Sequence, residues 1–179
     1  MKKLTLAMLL LFPMVTMAQR IEKNEIDKFT KQHVVETSQE ELIKRNKWKN
    51  RWERVLVALR NVNGEWVLPA FIELGEIEKY DENSTMSWLL DNGEVVILKS
   101  FYTGIGSEDC PIGIGGINHN VHGFTTVFNL SDADIEMLRK HTISDVRVSP
   151  LGKNYDFVVG KDDSDLIMRM IKVVDNTIK

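Results

Sequence analysis

A chain of 179 residues with 26 acidic and 23 basic side chains carries a net charge of −3, which gives it no overall pull toward nucleic acid or anionic lipid. Its single cysteine, Cys110, excludes an internal disulfide, so the fold rests on its hydrophobic core. Beyond the first 18 residues no stretch is apolar enough for a stable membrane span.

The chain opens on Lys2 and Lys3, an apolar run from Leu4 to Val15, and the small-residue end Thr16-Met17-Ala18. This three-part pattern reads as a secretory signal peptide over residues 1–18, cleaved after Ala18. The run is shorter than the ~20 residues a permanent transmembrane helix needs. The mature chain, residues 19–179, is expected to be one soluble domain of 161 residues with a charge of −5, periplasmic or extracellular.

Residues 21–31 read as a short helix or an arm lying on the domain, and His33–Thr37 as a strand. Ser38 ahead of Glu40 and Glu41 reads as the cap of a brief helical turn, with a loop up to Asn50 as the alternative. Two hairpins follow, each centred on an Asn-Gly pair that supplies the positive φ values of a two-residue turn. The first runs from about Trp52 to Glu73 around Asn63-Gly64, and Pro69 places its second strand at an edge or at a bulge. In the second, Ser84–Leu90 returns through Asn92-Gly93 into Glu94–Tyr102. A turn centred on Asn92-Gly93 sets Trp88 opposite Ile97 and Leu90 opposite Val95, so that Met86, Trp88, Leu90, Val95, Ile97 and Phe101 share the core face. The other face, with Leu89, Val96 and Leu98, is half apolar and suited to cover by another layer.

Residues 103–123 form a glycine-rich segment, after which Phe124–Asn129 resumes as a strand. Ser131 followed by Asp132 and Asp134 marks a helix start, with the helix near 132–140. Ile143–Ser149 and Tyr155–Val159 flank a third hairpin turn. A C-terminal helix near 162–177 presents Ile167, Ile171, Val174 and Ile178 as one stripe, broadened by Leu166 and Met170. The order predicts an α+β fold, mainly antiparallel β-sheet built from hairpins, either curved or split into two layers.

Cys110, His119 and His122 concentrate the soft and nitrogen ligands in the glycine-rich segment and make it the candidate ligand loop. Zinc needs three or four such ligands, and the spacing here is neither that of a zinc ribbon nor that of a helix-borne His pair, so no metal site is assigned. A thiol nucleophile would need His119, His122 or His141 within hydrogen-bond reach of Cys110. The glycines lack the lysine and hydroxyl of a phosphate loop, a Gly-x-Ser-x-Gly elbow is missing, and no cofactor is expected. Trp48, inside Lys47-Trp48-Lys49-Asn50-Arg51-Trp52, is a candidate aromatic contact for a glycan or an acidic protein; export and net acidity argue against nucleic acid. Asp162-Asp163 and Asp132/Asp134 read as helix N-terminal charges, and Glu76/Glu78 as the polar side of a strand or turn.

Ile26–Ser38, Leu90–Val96, the glycine-rich loop, Leu130–Ile135 and the strand Val146-Arg147-Val148 together resemble small exported proteins of unknown function common in Bacteroidetes. The resemblance implies a single secreted or envelope domain and carries no catalytic residues across. The reading at this point is an exported, non-catalytic binding or interaction module whose partner is a protein, a glycan or a small ligand. Two alternatives stand beside it: a hydrolase or thiol enzyme using Cys110 with a nearby His, and a structural or inhibitory partner docking by a sheet edge.

Overall fold

Alternation of buried and exposed side chains dominates the computed structural model, which describes residues 19–44, 53–74, 78–100, 104–105 and 123–178. The clearest case is β6 (Glu65–Glu73), where Trp66, Leu68, Ala70 and Ile72 all point inward. It is also the centre of a seven-stranded antiparallel sheet. Along one edge β6 pairs first with β5 (Arg60–Val62) and then with β4 (Arg54–Val57). Along the other it pairs over its whole length with β11 (Gly123–Leu130). Outside these lie β2 (His33–Thr37) on β5 and β3 (Glu40–Ile43) on β4, with β1 (Ile21–Ile26) closing the edge beyond β2.

Three expectations for this sheet are corrected. Residues 21–26 form an edge strand and no helix; only one side of β1 meets a neighbour, so its sequence carries little apolar periodicity. Ser38 caps no helical turn: Glu40–Ile43 pairs as β3, and the Ser38 hydroxyl donates to Glu40 Oε1. Pro69 sits in the central strand, tolerated because the neighbouring ladder is interrupted opposite it, between Val57 and Arg60. There the Ala58 N–H still reaches the Pro69 carbonyl at 2.9 Å, while the Leu59 N–H turns to the buried Thr37 hydroxyl oxygen at 3.0 Å.

A four-stranded sheet runs β13 (Tyr155–Val158), β12 (Ile143–Ser149), β8 (Thr85–Leu90), β9 (Val95–Lys99). The β12–β13 hairpin forms as expected, with Val148 opposite Tyr155. The β8–β9 hairpin forms with a different register: Trp88 faces Val96 and Leu89 faces Val95. Gly93 alone takes a positive φ, +85°, giving a three-residue loop over 91–93 closed by the Gly93 N–H on the Leu90 carbonyl at 3.0 Å. That single step exchanges the faces of β9. Val96 and Leu98 join Met86, Trp88 and Leu90 in the core, while Val95 and Ile97, expected inside, stand 49% and 59% exposed. Phe101 lies outside the described residues.

A two-residue ladder, β7 (Lys79–Tyr80) on β10 (Gly104–Ile105), completes the strands. The helices follow the sequence closely. α1 (Asp132–Leu138) begins at Ser131, whose hydroxyl accepts the Asp134 N–H while the Asp134 carboxylate accepts the Ser131 N–H. α2 (Leu166–Thr177) buries Leu166, Ile167, Met170, Ile171 and Val174, and lies against β1, β2 and α1; residues 161–165 are a turn leading into it. Arg139 clamps the two helices by bonding both oxygens of Asp175, at 2.8 and 3.1 Å. Buried apolar side chains from both larger sheets and both helices form one continuous core. No helix among the described residues is long and apolar enough to cross a membrane.

Candidate functional site

The two larger sheets meet at one rung. Ser100, following β9, bridges Phe128 of β11, and the buried hydroxyls of Ser100 and Thr126 lie 2.7 Å apart. Past this rung β11 ends at Leu130 and the chain turns into α1, while β9 runs on away from it. The space between is an open cleft of about 900 Å³, bordered also by the Gly64–Trp66 end of β6 and by Glu82.

Its lining combines apolar surface from Trp66, Ile97 and Leu130 with four carboxylates, Glu65, Glu82, Asp132 and Asp134, against one cation, Lys99. Asp134 is committed to the helix cap. Among the described residues Glu65, Glu82, Asp132 and Lys99 take part in no ion pair, so the cleft presents a net negative surface. On the other side of β9 a smaller groove of about 500 Å³ carries Leu89 and Val95 next to the paired Arg147 and Asp156. Arg147 bonds both oxygens of Asp156 and holds that carboxyl below its ordinary range. The outward side chains of β9 thus border two concavities: Ile97 and Lys99 line the cleft, and Val95 lines the groove.

Three polar clusters elsewhere are accounted for structurally. His141 Nδ1 and Asp91 Oδ1 lie 2.9 Å apart, and Thr142 Oγ1 donates to Asp91 Oδ2 at 3.1 Å, which ties the β8–β9 turn to the strand entry after α1. Among the described residues no serine or cysteine bonds this imidazole. Glu73, 1% exposed at the end of β6, takes the Arg54 Nε–H at 2.7 Å, and the same guanidinium lies 3.7 Å from Glu41. Near the β7–β10 ladder Tyr80 stacks on Phe124, and Tyr155 donates to Glu78, over which Lys153 also lies. Burial, reinforced by the Glu78 carboxylate, holds the Tyr80 phenol well above its ordinary range. Among the described residues no group of three His, Cys, Asp or Glu side chains converges as metal ligands would.

Cys110, His119, His122 and Trp48 lie outside the described residues. The segments that carry them join the sheet at one level: residues 45–52 lead toward Arg54 and residues 106–122 into Gly123, and both of these stand opposite Glu73. The cleft is at the other end of the same ladder, where Trp66 faces Leu130. At 3.3 Å per residue the two ends are about 23 Å apart. The residues the sequence reading missed are therefore Ile97, Lys99, Trp66 and Glu82. The available signal was the run Val95-Val96-Ile97-Leu98: four apolar residues in a strand cannot all enter one core face, so two of them had to face outward.

The chain matches no protein-family model, no curated protein and no solved structure.

Proposed function

We propose that the protein is an exported, non-catalytic binding module that holds its partner in the cleft between β9 and the β11–α1 junction. The observation that carries this reading is the outward face of β9. Val95 and Ile97 are about half exposed on a strand whose inward residues Val96 and Leu98 are fully buried, and Ile97 opens into a cleft where Glu65, Glu82 and Asp132 have no ion-pair partner among the described residues. Exposed apolar side chains next to a concave, charged surface mark an interaction site more often than an unengaged one. Export is supported by the cationic and apolar leader ending at Ala18.

The test compares the mature protein with Ile97→Asp and Val158→Asp variants, each immobilised and exposed to cell-envelope extract. Val158 is exposed at the far edge of the four-stranded sheet and does not line the cleft. A partner retained by the parent and by Val158→Asp but lost with Ile97→Asp is the expected result. Equal recovery on all three would overturn the cleft as the site. Export is checked separately by N-terminal sequencing of the protein from its own cells, where a first residue of Gln19 is expected and an intact Met1 on cytosolic material overturns it.

A further inference from the structure

We propose that the cleft takes its partner as an added β-strand, a cationic polypeptide segment in extended conformation that pairs with the open edge of β9. This rests on the binding reading above and specifies how binding occurs and what charge the partner carries.

The hydrogen bonds at the two ends of the β8–β9 ladder fix which way each β9 backbone group points. The Leu90 N–H bonds the Glu94 carbonyl at 2.9 Å and the Ser100 N–H bonds the Ser84 carbonyl at 3.1 Å. The residues between alternate, so Val96 and Leu98 turn their N–H and C=O groups to β8, and Val95, Ile97 and Lys99 turn theirs away. On that side the Ser100–Phe128 bridge, with the Ser100 N–H turned to β8, sets the Lys99 carbonyl against β11, so among the described residues Val95 and Ile97 are the ones left with no strand partner. The open stretch from Val95 to Ile97 spans about 7 Å, room for the central three to five residues of a segment to pair.

Edges left open in stable proteins are blunted, and the contrast with β1 is direct. There the exposed positions carry Glu22, Lys23, Asn24 and Glu25, with an apolar residue, Ile26, only at the strand's end, whereas the open edge of β9 carries two β-branched apolar residues, Val95 and Ile97. Such an edge is a template for strand addition, with backbone bonds giving affinity and alternate side chains giving selectivity. Selectivity here follows from charge. Glu65, Glu82 and Asp132 face the same cleft with Lys99 as the single opposing charge among the described residues, which suits a partner with lysine or arginine at alternate positions. A second copy of this chain is the poorer occupant, because edge-to-edge pairing would set two acidic clefts side by side.

The experiment uses ¹⁵N-labelled mature protein with two end-blocked synthetic heptapeptides, Lys-Val-Lys-Val-Lys-Val-Lys and its glutamate counterpart Glu-Val-Glu-Val-Glu-Val-Glu, read by amide hydrogen exchange and chemical shift. The expected result is at least about tenfold slower exchange at Val95 and Ile97 with the lysine peptide and no change with the glutamate peptide. Ile97→Pro removes one outward donor while leaving the β8–β9 ladder its bonds, and should weaken binding about tenfold. Should that variant fail to fold, the Glu65→Lys, Glu82→Lys double variant serves instead, with preference expected to pass to the glutamate peptide. Shifts at Trp66 and Asn129 without protection of the β9 amides would overturn strand addition while leaving the cleft as a binding site. Equal binding of both peptides would overturn the charge assignment. Protection that rises with protein concentration alone would assign the edge to a second copy and overturn the proposal, as would the absence of any change with either peptide. The variant captures described above decide the binding reading independently.

Discussion

The two Asn-Gly hairpins carry the same central dipeptide and fold differently. At Asn63-Gly64 both residues take positive φ, +51° and +97°, and Val62 pairs directly with Glu65 across a two-residue loop. At Asn92-Gly93 only the glycine does, Asp91 joins the loop, and the strand that follows is shifted by one residue from the expected pairing. Their ties differ as well. The first turn is stapled by neutral amides, Asn61 Oδ1 to the Gly64 N–H and Asn63 Oδ1 to the His33 N–H. The second is stapled by carboxylates, Asp91 to His141 and Thr142, and Glu94 to the Asn92 amide. A dipeptide thus names a turn without fixing its length, and the length decides which side chains enter the core.

The largest test of that contrast lies in the strand after the second turn. Leu98→Ala should cost about 2–5 kcal/mol in denaturant unfolding, while Ile97→Ala should stay within about 0.5 kcal/mol. The reverse order would restore the two-residue register. Next, Asn63→Ala should cost about 1–2 kcal/mol, because alanine is strained at positive φ and the His33 N–H loses its acceptor; Asn92→Ala should cost less than half of that. Deleting Asp91 should convert the second loop to two residues with the pairing intact, so nuclear Overhauser contacts between Trp88 and Val96 persist and unfolding shifts by less than about 1 kcal/mol. Pairing of Trp88 with Ile97 in that variant would show that the loop, not the core, sets the register.

The smallest effect is one of pH. The hydrogen bond from His141, helped by Thr142, holds the Asp91 carboxyl below its ordinary 3.8. A carboxyl lowered in the folded state stabilises it above the ordinary value and loses that contribution as pH falls through the lowered one. Melting temperature between pH 5 and pH 2 should therefore decline less steeply in Asp91→Asn than in the parent. Substituting Asn63, whose turn holds no titrating group, should leave the slope unchanged.

Much of the fold could be read from residue patterns where one periodicity dominated. Ser131 with Asp134 announced α1, the stripe through Ile167, Ile171 and Val174 announced α2, and the residues flanking Pro150-Leu151-Gly152 announced β12 and β13. Where the pattern was flat the reading slipped. Val95-Val96-Ile97-Leu98 is apolar at every position and fits either register, and β1 is polar nearly throughout because a single neighbour covers it. Ser38 ahead of Glu40 and Glu41 resembled the cap of a helical turn, whereas the segment pairs as a strand in which a register shift between Glu41 and Ile43 lets both Leu42 and Ile43 be buried. The cleft was beyond reach for a different reason. Trp66, Glu82, Ile97 and Asp132 come from four separate elements or turns, and only the divergence of β9 from β11 brings them together.

Pro69 has an effect that extends past its own strand. Because it offers no N–H, the interruption beside it at Ala58-Leu59 continues outward to Thr37 and Ser38, where β2 gives way to β3. These sites line up as a crease across three strands, dividing one flank of the sheet into two panels hinged on β6. The panel of β1, β2 and β5 carries α2, while that of β3 and β4 carries the Arg54–Glu73 pair. Thermal opening should part the flank along this line, each panel loosening as its own cooperative unit.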